Sequence, residues 1–201
     1  MILFFGAHPD DVELGCGGYL STLRDDEAAV VTFSMCPDVS ENLENEWNSS
    51  LDILNVCKWL RFKYDLTNKH MDSDGEKIRV IMEQLKIRFK LPGIEAVYVP
   101  CSEDMHQDHN AVYREAIKVF KSCSVFGYIQ PWNCRVEPYD VFIPIRSTAL
   151  DKKIEALDSY ASQGGRLYIK PEKIRGLAEH VGWKVGVEYA EGFECIRYVK
   201  K

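Results

Sequence analysis

Ile2-Leu3-Phe4-Phe5-Gly6-Ala7-His8-Pro9-Asp10-Asp11 is the stretch that decides the fold. No polar residue alternates with the apolar run that begins at Met1, so residues 2–5 read as a strand buried on both faces, as in the middle of a parallel sheet. Residues 8–11 then stand at the carboxyl end of a central strand, the edge where open α/β sheets bind ligands. That edge carries one imidazole and two carboxylates, all metal-ligand side chains. A plain turn is the competing reading, because Asp and Pro favour turns and Asp10 or Asp11 suits a helix N-cap.

A second cluster separates the two readings. Met105-His106-Gln107-Asp108-His109 comes after another buried strand, residues 95–100, and precedes a helical pattern over residues 110–121. Three of the five histidines (His8, His106 and His109) thus fall at the ends of two strands, beside carboxylates. Zinc catalysis takes about three protein ligands from His, Asp and Glu and leaves one position open, which two loops from parallel strands can provide. A solvated helix start capped by Asp108 is the bland alternative for the second cluster.

Strands and helices alternate along the rest of the chain. Residues 28–34, 61–64, 125–129, 141–145 and 195–199 read as further strands, and residues 15–24, 42–60, 75–90, 149–160 and 171–180 as helices. This predicts a single α/β domain over residues 1–201, Rossmann-like, with a mostly parallel sheet covered by helices on both faces. Gly15-Cys16-Gly17-Gly18 does not fit the dinucleotide fingerprint, and no phosphate-loop motif is present, so a nucleotide-binding module is the weakest functional reading. Those glycines are expected to let the first helix approach the sheet closely.

Composition narrows the function classes. With 31 acidic and 25 basic residues the net charge is -6, and no Lys/Arg cluster with interleaved aromatics provides a nucleic-acid footprint. The N-terminal apolar run is far shorter than the roughly 20 residues of a membrane span and lacks the flanks of a signal peptide, so a cytoplasmic location is expected. The seven cysteines contain no Cys-x-x-Cys pair, and neither a disulfide framework nor a structural zinc site is suggested. Cys16 and Cys101 lie near the two clusters in sequence, outside the expected ligand set.

Together the clusters resemble the zinc-dependent N-acetylglucosaminyl deacetylases of the PIG-L/LmbE family. Residues 7–15 look like that family's N-terminal signature, His106-Gln107-Asp108-His109 like its second, and Ser162-Gln163 and residues 186–194 like C-terminal segments of its short members. The resemblance implies Zn²⁺ held by His8, Asp11 and His109, with Asp10 as general base. It further implies that His106 assists the oxyanion or the leaving amine, with Asp108 as its orienting partner. The implied reaction removes acetyl from a small-molecule amino-sugar conjugate, and homo-oligomers are an expected state.

Substrate contacts are less clearly marked. Glu46 matches an acidic residue of the family, but Leu43 stands where many relatives carry an Arg used in recognition. Either the substrate lacks the anionic group that such an Arg clamps, or Arg135 or Arg166 supplies the charge. Trp132 and Asn133 form a candidate sugar contact, an aromatic face for a pyranose and an amide for its hydroxyls. His70 is read as a solvated loop residue and His180 as a residue near a helix end. Hydrolysis of another amide or ester, and a non-catalytic metal-binding protein, are the alternatives.

Overall fold

The computed structural model describes residues 1–90 and 93–200. In chain order the elements are β1 (Ile2–Gly6), α1 (Asp11–Leu20), β2 (Ala28–Thr32), α2 (Leu43–Ile53), β3 (Arg61–Lys63), α3 (Gly75–Arg88), β4 (Ala96–Pro100), α4 (Gln107–Val119), β5 (Ser124–Tyr128), β6 (Val141–Pro144), α5 (Ser147–Asp158), α6 (Pro171–Lys184) and β7 (Ala190–Arg197). They form one seven-stranded sheet in the order β3-β2-β1-β4-β5-β7-β6. The first five strands in that order are mutually parallel, and β7 runs antiparallel to both β5 and β6.

β1 lies between β2 and β4, and every residue of these three strands is buried, as expected of apolar runs without alternation. The chain winds outward from β1 to β3, then crosses back to β4. That reversal puts helices on both faces: α1, α2, α5 and α6 pack in one layer, and α3 packs with α4 in the other. It also opens a crevice between the carboxyl ends of β1 and β4, the place where such sheets bind ligands.

Local chemistry moves several boundaries from those expected. α1 begins at Asp11, directly behind the His8-Pro9-Asp10 turn, so the turn is shorter than the glycines suggested. Gly15 still does what was expected of it: a Cβ there would stand 2.4 Å from the ring of Tyr128, so only glycine lets α1 lie on β5. α2 ends at Ile53 because Asn55 turns the chain at φ 60°, and residues 58–60 form a separate 3-10 turn. α6 runs through Gly182 to Lys184, so His180 lies within the helix rather than near its end.

β7 starts at Ala190 rather than Cys195. Glu191 breaks the apolar pattern there, yet it is buried, taking Lys153 Nζ at 2.6 Å and the amides of Gly18 and Tyr19 at 2.9 and 2.7 Å. A charged strand residue was thus hidden from the sequence by a partner on α5.

Candidate active site

The turn after β1 is held in a backbone conformation that non-glycine residues rarely adopt. Asp10 has φ 84°, a left-handed value of the kind that persists only where surroundings enforce it, at about 1–3 kcal/mol. Its amide donates to Tyr160 Oη at 3.0 Å, and that hydroxyl donates to Glu13 Oε1 at 2.6 Å, so α1 and the chain beyond α5 both fix the turn. Asp10 occupies the N-cap position of α1, but its carboxylate makes no capping bond and lies on the pocket wall. The turn reading therefore describes the backbone and leaves the carboxylate for chemistry.

The loop after β4 is organised by Asp104. Its Oδ1 accepts the His106 amide at 2.8 Å, and its Oδ2 lies 2.7 Å from His109 Nδ1. α4 is capped by His106 rather than by Asp108: His106 Nδ1 accepts the Asp108 amide at 3.2 Å. Accepting that bond requires an unprotonated Nδ1, so the neutral ring carries its proton on Nε2. Burial, and then the neighbouring His109 and His8, lower the pKa of His106 and favour that neutral ring.

Asp108 does not orient His106 as expected. Its carboxylate accepts His8 Nε2 at 2.9 Å and the amides of Lys69 and Met71 at 2.6 and 3.1 Å. It is fully buried and ties the turn after β1 to the loop before α3. Asp108 is thus a positioning residue for His8.

The two histidines end up in equivalent states. Asp108 engages Nε2 of His8 and Asp104 engages Nδ1 of His109, which leaves His8 Nδ1 and His109 Nε2 facing one carboxylate, that of Asp11, at 3.5 and 3.2 Å. Imidazoles whose second nitrogen is held by a carboxylate are the usual form of metal-ligating histidine. Ligand atoms of His8, His106 and His109 also lie within 4.8 Å of one another. Gln130 Nε2 holds Asp11 Oδ1 at 3.1 Å from the far side.

The electrostatics call for positive charge at this point. Burial depresses the imidazolium of His8, but its bonds to Asp108 and Asp11 outweigh that and raise its pKa to about 9. His109 reaches about 10 for the same reason, burial being overcome by Asp11 and Asp104. A divalent cation held by these side chains would replace their protons, so the donor set fits one. Asp10 behaves oppositely: burial, then Asp11 and Glu13, push its carboxyl well above the usual range, and the Arg166 guanidinium counteracts them.

These groups open into a cavity of about 220 Å³. Of the residues expected from sequence, His8, Asp10, Asp11, His106, His109, Trp132 and Asn133 line it. Arg166 does so too, at the exposed rim, whereas Arg135 and His70 are exposed away from it. Glu46 is also off the wall, its carboxylate accepting the amide and hydroxyl of Ser162 at 2.9 and 2.5 Å, so it braces the turn that carries Gln163. Leu43 is buried and lines the cavity. Residues the sequence did not single out are Asp104, Gln130, Lys69, Tyr160 and Tyr168, whose ring stacks on Trp132 at 4.4 Å and 10°.

A family model described as PIG-L, GlcNAc-PI de-N-acetylase, matches residues 3–120. The chain belongs to the PIG-L family. The matched span contains both histidine clusters and the carboxyl ends of β1 to β4. The chain is similar to the uncharacterized deacetylase YaiS of Escherichia coli K12, 29% identical over 170 residues, which cover 80% of this chain and 90% of that one. Its fold is similar to that of N,N'-diacetylchitobiose deacetylase from Pyrococcus horikoshii (TM-score 0.77, 20% identity, 96% of this chain and 82% of that one). It is also similar to that of GalB, the 4-carboxy-2-hydroxymuconate hydratase of Pseudomonas putida KT2440 (TM-score 0.76, 19% identity, 100% and 98%). One architecture thus carries both hydrolysis and hydration, so the reaction must be argued from the site. Among the described residues no helix is long and apolar enough to cross a membrane.

Proposed function

We propose that this PIG-L family chain is a zinc-dependent hydrolase that removes the N-acetyl group from an N-acetylglucosamine-type conjugate, releasing acetate and a free amino sugar. Residues 1–201 act as one deacetylase domain. The observation that carries the reading is the pair His8 and His109, each braced by a buried carboxylate and each turning its other nitrogen toward Asp11. His8, Asp11 and His109 would hold the ion. When bound, it supplies Lewis-acid polarisation of the amide carbonyl and lowers the pKa of the attacking water.

The chain's own groups carry the protons. Asp10, buried, raised in pKa and without a capping bond, accepts the proton of the water as it attacks. His106 presents its Nε2 proton to the developing oxyanion or to the departing nitrogen, in the tautomer set by the Asp108 amide. The stacked Trp132 and Tyr168 rings offer an apolar face for a pyranose, and Asn133, held by Gln130 Oε1 at 3.1 Å, stands beside them to meet hydroxyls. Leu43 on the wall favours a second reading, in which the same centre cleaves another amide or an ester.

The test is incubation of metal-replete protein with N-acetylglucosamine glycosides, O-acetyl sugars and other N-acyl amines, with acetate and primary amine both measured. Equimolar acetate and amine from the N-acetyl glycosides is the expected result. Release from the esters alone would move the assignment to the second reading, and no product from any substrate would overturn both.

A further inference from the structure

Cys101 and Cys134 come from different loops, yet their sulfurs lie 3.4 Å apart beside the pocket wall. A disulfide needs about 2.05 Å, so closure asks for a movement of about 1.4 Å. The backbones are already paired there: Asp104 bridges Cys134 in antiparallel fashion, and the Met105 amide donates to Asn133 O at 3.0 Å. We propose that Cys101 and Cys134 are a site of thiol–disulfide exchange, closing to a reversible disulfide with a low-molecular-weight disulfide as oxidant.

The two cysteines are suited to different halves of the exchange. Cys134 is half-buried and reachable, whereas Cys101 is buried. Cys101 is also fixed, since its amide donates to Tyr128 O at 3.0 Å and its Cα packs where a Cβ on Gly127 would stand, at 2.7 Å. The closing movement therefore falls on Cys134. A hydrogen bond from the Cys101 thiol lowers the pKa of Cys134 against the effect of burial, and the same bond, with burial, raises that of Cys101. Cys134 is then the attacking thiolate and Cys101 the resolving thiol.

In the first step Cys134 Sγ attacks one sulfur of the oxidant RSSR, forming a mixed disulfide and expelling RS⁻. In the second, Cys101 Sγ gives up its proton and attacks Cys134 Sγ, expelling a second RS⁻. The protein loses two protons and two electrons, and the oxidant leaves as two RSH. The bond would join the loop whose Asp104 holds His109 to the loop whose Gln130 holds Asp11, bracing the cavity across both.

The probe is oxidised glutathione on the full chain, read by intact mass, thiol count and peptide mapping, none of which depends on turnover. The expected result is a loss of two hydrogens in mass and of two of the seven thiols, a linked Cys101–Cys134 peptide, and reversal by dithiothreitol. Cys101→Ser is expected to stop at a stable glutathione adduct on Cys134, and Cys134→Ser to leave Cys101 unmodified. A glutathione adduct that accumulates on Cys134 in the unsubstituted protein, a linkage between another pair, or no change in mass would each overturn the proposal.

Discussion

The turns after β1 and after β4 face each other across the crevice and are built in opposite ways. The first contributes one imidazole and two carboxylates that line the pocket, and it depends on other parts of the chain for support: Asp108 for His8, Gln130 for Asp11, Tyr160 for the backbone of Asp10. The second contributes two imidazoles to the pocket and supports them from within, through Asp104 and the Asp108 amide. The imidazoles after β4 are therefore oriented by their own loop, while its backbone is tied to the chain beyond β5 through Met105 and Asn133 and to β7 through Ser102 and Glu194. The turn after β1 reaches its geometry only once the whole domain has folded around it, and residues that never touch substrate should matter more for it.

The largest expected effect tests the point where the two turns meet. His109→Ala removes one of two braced imidazoles facing Asp11 and leaves Asp104 and Asp11 buried without that partner. Elemental analysis should show the metal content of the purified protein falling to near zero, and deacetylation with it. Equal metal in variant and parent would take His109 out of the ligand set. Asp10→Asn should instead keep the metal and lower kcat by about 10²- to 10⁴-fold with a small change in KM, since asparagine keeps the shape and cannot take a proton. Near-normal turnover at full metal occupancy would break the assignment of roles within the first turn.

The bracing carboxylates sharpen the contrast directly. Loss of a partner behind a ligating histidine typically weakens metal affinity by about 10- to 100-fold, and both Asp104→Asn and Asp108→Asn should fall in that range. Asp108 also holds the amides of Lys69 and Met71, so Asp108→Asn is expected to lower Tm more than Asp104→Asn. Metal titration and thermal melts of the two variants decide it; the reverse order would place the support of the site in the loop after β4. The metal-free protein offers a pH test. His8 and His109 have folded pKa values of about 9 and about 10, above the unfolded 6.5, so their stabilisation is complete below about pH 6.5 and is lost as pH rises through those values. Its Tm should fall between pH 7 and 10, and the fall should shrink when a divalent ion takes the place of the protons.

The same contrast explains what is legible in the sequence. β1, β2 and β4 are legible because a strand buried on both faces has no alternation, and the five pocket-lining groups His8, Asp10, Asp11, His106 and His109 are legible because each sits where such a strand ends. Their supports are not. Asp108 meets His8 across 100 positions, and Gln130 meets Asp11 across 119, so neither pairing leaves a local pattern. The family resemblance pairs Asp108 with His106, whereas the Asp108 carboxylate meets His8 and only its amide meets His106. Asp104 leaves only a partial signal: a ligating histidine usually has a carboxylate behind it, and the loop offers both Glu103 and Asp104. Glu46 differs for another reason: its match to an acidic residue of the family suggests substrate, but here Ser162 takes both of its oxygens.

The smallest expected effect concerns the rim, where the two arginines that could compensate for Leu43 have separate fates. Arg166 lines the cavity and acts electrostatically on Asp10, while Arg135 is exposed off the wall. If an anionic aglycone is bound at all, Arg166 is the group placed to meet it, and a charged hydrogen bond of about 1.5–3 kcal/mol corresponds to about 10- to 100-fold in KM. Arg166→Ala should raise KM for carboxylated or phosphorylated conjugates by that factor and leave neutral conjugates within a few-fold, whereas Arg135→Ala should change neither. A second consequence separates binding from chemistry: removing the guanidinium lets burial and Asp11 push the Asp10 carboxyl higher still, so the acid limb of the kcat profile should move to higher pH with neutral substrates. Paired neutral and anionic glycosides, assayed across pH with both variants, give the two readouts together. A strong preference for the anionic member that survives Arg166→Ala would show that the rim facing the turn after β1 does not select the substrate.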